Sequence, residues 1–89
     1  MSKQKPVHEV TYWPVRVSIW RNESDGGTRV NYSTVVNRLY STGEGKKKEW
    51  HSTPSLDVED LLSAAKALEE AFAWIHQAMA QDRQQAQAA

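Results

Sequence analysis

The strongest constraint on this chain is the apolar pattern of its last third. Leu61, Ala65, Leu68, Phe72, Ile75 and Met79 recur at steps of four and three, which makes one continuous stripe on a helix. At about 100° per residue, Ala64, Ala67, Ala71, Trp74 and Ala78 fall beside that stripe, on one flank only. Together the two groups widen the apolar arc to roughly 180°, against the roughly 100° of a helix that covers one surface. Lys66, Glu69, Glu70 and Gln77 hold the other half. Alanine is also the best helix former, and a solvated alanine flank would need no partner. Trp74 on that flank argues otherwise. The pattern therefore predicts a helix with two packing partners, the second most simply the same helix of another subunit. The expected dimer contacts are Leu68, Ala71, Phe72, Trp74, Ile75, Ala78 and Met79.

The helix has a start signal. Asp57 stands as N-cap, Glu59 and Asp60 follow in the first turn, and Leu56 can staple against Leu61. From Gln81 the chain turns Gln/Ala-rich and is expected to fray, as is the polar tail of residues 1–6. The single domain is expected over residues 7–80.

The preceding residues read as strands. Val7–Trp13 is β-prone and stops at Pro14, which cannot donate to a ladder. In Val15–Arg21, Val15, Val17 and Ile19 share one face; Arg16, Ser18 and Trp20 share the other. Asn22–Gly27 reads as a loop whose two glycines can supply positive φ. Thr28–Tyr40 is a long strand pattern whose apolar face becomes mixed near Val35 and Val36, so a bulge or side-switch is expected there. After the turn Ser41–Gly45, Lys46–Thr53 makes a last polar strand around Trp50. The expected fold is α+β: a four-stranded antiparallel β-meander followed by one long amphipathic helix.

With 89 residues and no cysteine, the chain has neither a disulfide framework nor a thiolate metal site. No secretory h-region follows Met1, and no apolar run approaches the roughly 20 residues of a membrane span. A cytoplasmic location is the expectation. His8, His51 and His76 lie on three different elements, without a ligand spacing or a nucleophile–base arrangement, so neither enzymatic activity nor a cofactor or small-molecule substrate is expected.

Charge is split along the chain. Residues 1–50 carry nine bases and five acids, giving +4, while residues 51–89 carry two bases and six acids, giving −4. The split fits an anionic partner for the first segment, and equally an internal balance of charge. The bases interleave with aromatics: Arg16, Trp20 and Arg21; then Arg29, Tyr32, Arg38 and Tyr40; then Lys46, Lys47, Lys48 and Trp50. Single-stranded nucleic acid wants this mixture, cations for phosphates and flat rings for bases. Tyr32, Tyr40 and Trp50 would each serve equally as a cap on the core. Trp20 lies opposite the valines and needs a ligand or a subunit contact.

The order of elements, with Arg38-x-Tyr40, Gly43-Glu44-Gly45, the lysine run and Ser55-Leu56-Asp57-x-Glu59, resembles the transcriptional positive-cofactor-four family. Its bacterial and phage relatives are similar, and the Whirly proteins share the architecture more distantly. The resemblance covers roughly residues 15–75. It implies paired helices and curved sheets that bind single-stranded or melted DNA, in a coactivator-like role. By position, the family's DNA contacts resemble Trp20, Arg38, Tyr40 and Lys46–Lys48. The chain departs in its neutral total charge, its longer first hairpin and its lack of a basic tail. The expected function is a homodimeric, non-enzymatic binder of single-stranded DNA or RNA; a protein–protein adaptor on the same fold is the alternative.

Overall fold

The structure is a computed structural model of the chain and describes residues 5–27 and 29–88. Of the tail expected over residues 1–6, residues 1–4 lie outside this description. Strands β1 (His8–Tyr12), β2 (Val15–Ser24), β3 (Arg29–Thr42) and β4 (Glu49–Thr53) form one antiparallel sheet in the order β1-β2-β3-β4, and helix α1 (Leu61–Ala88) follows. The fold is the expected α+β arrangement.

Local chemistry sets the turns. The β1–β2 turn is made by Trp13 and Pro14, and Pro14 C=O accepts a hydrogen bond from Leu39 N–H at 2.8 Å. This ties the first turn to β3. The next hairpin is tighter than the sequence suggests, because β2 runs on to Ser24 before a single 3-10 turn at Asp25–Gly27. The third turn requires a glycine. Gly43 has φ 83°, and a Cβ there would lie 2.3 Å from the Lys47 carbonyl oxygen.

The register between β2 and β3 is unbroken from Ser24↔Arg29 to Val15↔Arg38, so no bulge or side-switch occurs at Val35 and Val36. The mixed polarity of β3 has another cause. Helix α1 lies chiefly across β1 and β2, so residues of β3 beyond Val36 leave its shadow without changing face. Tyr40 and Thr42 occupy that uncovered corner, while Arg38 is partly covered by the chain from Ser55 to Asp60.

The core joins Val10, Val17 and Ile19 of the sheet to Ala67 and Ala71 of α1, with Tyr12, Tyr32, Val36, Trp74 and Ile75 around them. Val15 and Ala64 are also buried. The alanines have little side chain to hold the helix off, so the sheet valines meet its backbone closely. Each buried valine or isoleucine contributes about 1.5–3 kcal/mol. Beyond the alanines Trp74 fills the space, stacked on His8 with centroids 4.7 Å apart and edge-on to Tyr32 at 6.3 Å.

The helix begins after a 3-10 turn, Val58–Asp60, where the Asp60 carboxylate accepts the Asp57 N–H at 3.0 Å. At its far end α1 runs past Gln81 to Ala88, and Asp82 on it bonds to Arg21 and Tyr32 of the sheet. No helix among the described residues is long and apolar enough to cross a membrane.

Candidate functional site

Strand alternation and the observed registers divide the sheet into two faces. The face under α1 carries His8, Val10 and Tyr12 of β1, the valines and Ile19 of β2, and their cross-strand partners. The opposite, open face carries Arg16, Ser18, Trp20 and Asn22 of β2, then Asn31, Ser33, Val35, Asn37, Leu39 and Ser41 of β3, and Trp50 of β4. Among the strand residues of this face Glu9 is the single acid, and Ser18 Oγ donates to it at 3.4 Å.

Aromatic rings and cations sit together on the open face. Trp50 is 56 % exposed and meets Trp13 edge-on, with centroids 5.5 Å apart. Lys48 Nζ lies 4.8 Å from the Trp50 centroid, within the range in which a cation is drawn to a ring. Trp20 is half-buried, flanked by Ser33 across the strand. Arg16 is half-buried opposite Asn37, and its Nε is buried without a hydrogen-bond partner among the described residues. A buried N–H left so costs stability, and being closed to solvent it is not itself a ligand contact.

The expected nucleic-acid contacts therefore separate. Arg16, Trp20 and Trp50 share the open face, Lys48 leans on Trp50, and Arg29 falls on the same face at the far hairpin. Lys46 and Lys47 are exposed in the 3-10 turn before β4. Arg21, Arg38 and Tyr40 do not join them, because their strand parity turns them to the helix side. Arg21 pairs with Glu23 and with Asp82, the latter at 3.1 Å. Arg38 Nε lies 3.3 Å from the buried Asp60 carboxylate and 3.4 Å from the Ser55 carbonyl, while a terminal nitrogen is 3.8 Å from Asp57. Tyr40 lies beneath the Arg38 guanidinium and stacks on His51 at 5.2 Å. Both arginines are spent on closing the fold.

That use is visible in the ionisation of the partners. The Tyr32 hydroxyl, donating to Asp82 at 2.6 Å, holds the Asp82 carboxyl below the usual carboxylate range, with Arg21 assisting. Burial and the same hydrogen bond push the Tyr32 hydroxyl up. Glu23, then Asp82, raise Arg21 further above its already high value. At the other end of β1, a hydrogen bond to Glu70 raises Tyr12. A cleft of about 530 Å³ opens beside the Arg21–Asp82 pair, lined also by Val30, Tyr32, Met79 and Arg83. The polar groups of Arg21, Tyr32 and Asp82 at its wall are already engaged with each other.

The helix divides in the same way. Of the expected dimer contacts, Ala71 is in the core, Trp74 packs against it, and Ala78 lies along that same side. These face the chain's own sheet. Leu68, Phe72 and Met79 remain exposed, with Leu61 two turns before Leu68 and Ile75 partly covered. Phe72, 64 % exposed, has the His76 ring against its own at 4.2 Å.

Trp13 is the residue that sequence reasoning missed. Expected within the first strand, it instead stands in the turn after Tyr12 and is 61 % exposed. A large aromatic next to a turn proline was the available signal, since a turn has no face to bury it. The three histidines serve separate local roles, His8 on Trp74, His51 with Thr42 and His76 on Phe72. Comparison of the chain with family models, curated proteins and solved structures finds no match to any of them.

Proposed function

We propose that the protein is a homodimeric, non-enzymatic binder of single-stranded nucleic acid, DNA in the first instance, acting in the cytoplasm through the open face of its sheet. The observation that carries this reading is the sharing of one face by Arg16, Trp20 and Trp50, with Glu9 as the single acid among its strand residues. Rings on such a face accept bases at about 1–3 kcal/mol each, and cations between them accept phosphates. Arg16, half-buried on that face between the two rings, is the cation placed for a phosphate. Similarity to the positive-cofactor-four family is part of this proposal and rests on the order of elements and the helix start.

The dimer is the second part. A helix whose alanine flank is buried on its own sheet, and whose Leu68–Phe72–Met79 stripe is exposed, has a self-complementary surface to offer a second copy.

The test is a fluorescence titration of a labelled oligothymidine at low salt. Binding at micromolar protein, weakened when Lys46, Lys47 and Lys48 are changed to Glu, is the expected result. No binding, or binding indifferent to those changes, overturns the reading and leaves a protein partner as the occupant of the face.

A further inference from the structure

Two aromatic positions stand at opposite ends of the open face, and a cation stands between them. Trp20 pairs across to Ser33 of β3, whereas Trp50 pairs across to Ser41 of the same strand. Those β3 positions are separated by eight residues, about 27 Å along the strand, and β2 and β4 flank β3 roughly 10 Å apart. Arg16 pairs with Asn37, halfway between Ser33 and Ser41. Arg16 is only half-buried at that midpoint, so the side chain is in part open to the face. At the Trp50 end the single ring is enlarged by Trp13, edge-on at 5.5 Å, and by Lys48 at 4.8 Å. Serine, asparagine, Val35 and Leu39 floor the interval, and the face's one strand acid, Glu9, is on β1, away from the line.

Resting on the nucleic-acid reading above, we infer that one single strand runs obliquely along β3 between two base-stacking stations, Trp20 and the Trp13–Trp50–Lys48 cluster, with Arg16 holding a phosphate midway. The occupant follows from the chemistry. Stacking surfaces too far apart for one base or one dinucleotide, joined by a cation, match a polyanion that carries rings at intervals. A duplex keeps its base faces stacked inside and would leave both stations idle. A stacked strand at about 3.4 Å per nucleotide needs about eight nucleotides to span the stations, and an extended one fewer. This falls within the site sizes that stacking grooves of this kind show. Trp13 thereby becomes a binding residue.

The experiment is fluorescence anisotropy with labelled oligothymidines of three to sixteen nucleotides against the full chain and its variants. Affinity is expected to rise with length up to one threshold between about four and eight nucleotides and then to level off per site. On the sixteen-mer, Trp50→Ala and Trp20→Leu each weaken binding about 5- to 150-fold. On the trimer each costs only about twofold, because a trimer occupies one station and the other remains. Trp13→Ala weakens the sixteen-mer in the same direction as Trp50→Ala. Trp13 and Trp50 are both more than half exposed, so their removal leaves the fold intact and decides the matter even if Trp20→Leu lowers stability. Binding without a length threshold, or a sixteen-mer indifferent to Trp13→Ala and Trp50→Ala, overturns the two-station path while the nucleic-acid reading survives. No binding at any length overturns both.

Discussion

Arg21 on β2 and Asp82 on α1 stand 61 positions apart in the chain and meet at 3.1 Å, with the Tyr32 hydroxyl on the same carboxylate at 2.6 Å. This three-residue clasp is what holds the last turns of the helix to the sheet. Asp82→Asn keeps the shape and removes the charge. It is expected to lower Tm by a few degrees at neutral pH and to loosen amide protection beyond Met79, read by hydrogen exchange.

The same clasp sets an acid limb. Because the folded Asp82 carboxyl is held below its ordinary value of 3.8, its contribution is complete above that value and is lost as pH falls through the lower folded one. The Tm difference between the natural chain and Asp82→Asn is therefore expected to be full at neutral pH and to close below about pH 4. A difference that stays constant down to pH 2 would assign the clasp no electrostatic part.

Arg38 is expected to matter for folding more than for binding. Its Nε faces the carboxylate of Asp60, the buried acid of the helix start. Arg38→Ala leaves that carboxylate without its cation and should cost about 2 kcal/mol in urea unfolding, while oligothymidine affinity, compared at equal folded fraction, changes little. A large affinity loss with unchanged stability would return Arg38 to the binding face.

How much of this was legible in the chain depends on the range of the interaction. The helix start at Asp57, the parity of Val15–Ile19 and the position of Trp20 opposite those valines all depend on neighbours within a few residues, and all are observed. Arg21 and Arg38 looked like binding cations because their partners, Asp82 and Asp60, are reached only through the fold. The two flanks of the helix were also visible. Which one meets the sheet was not, since hydrophobicity alone favours Leu68 and Phe72, whereas close approach to the valines favours Ala67 and Ala71.

That division of the helix gives a paired prediction. Phe72→Glu alters an exposed position and should convert a dimer to a monomer in light scattering, with the monomer's secondary structure retained. Ala71→Leu overfills the sheet contact and should cost about 1–3 kcal/mol whatever the oligomeric state. If the natural chain is already a monomer at the highest concentrations reached, the exposed stripe has another occupant. More than two subunits would mean that sheet faces are covered as well.

Salt separates a phosphate-reading face from a protein-binding one. Each phosphate neutralised on a single strand contributes about −0.7 to the slope of log K against log salt. Arg16, on the face of Trp20, and Lys48, seated on Trp50, are the cations most closely joined to the stacking rings. Arg16→Met preserves the apolar stem and Lys48→Gln preserves length, so each should shallow the slope by about 0.7 and leave the ring contacts in place. Trp50→Ala should do the opposite, lowering affinity at every salt concentration with the slope nearly unchanged, because a ring releases no counterion. If both kinds of variant shift affinity and slope together, rings and cations do not act on separate parts of the strand. If the slope in the natural chain is near zero, the open face reads something other than phosphate.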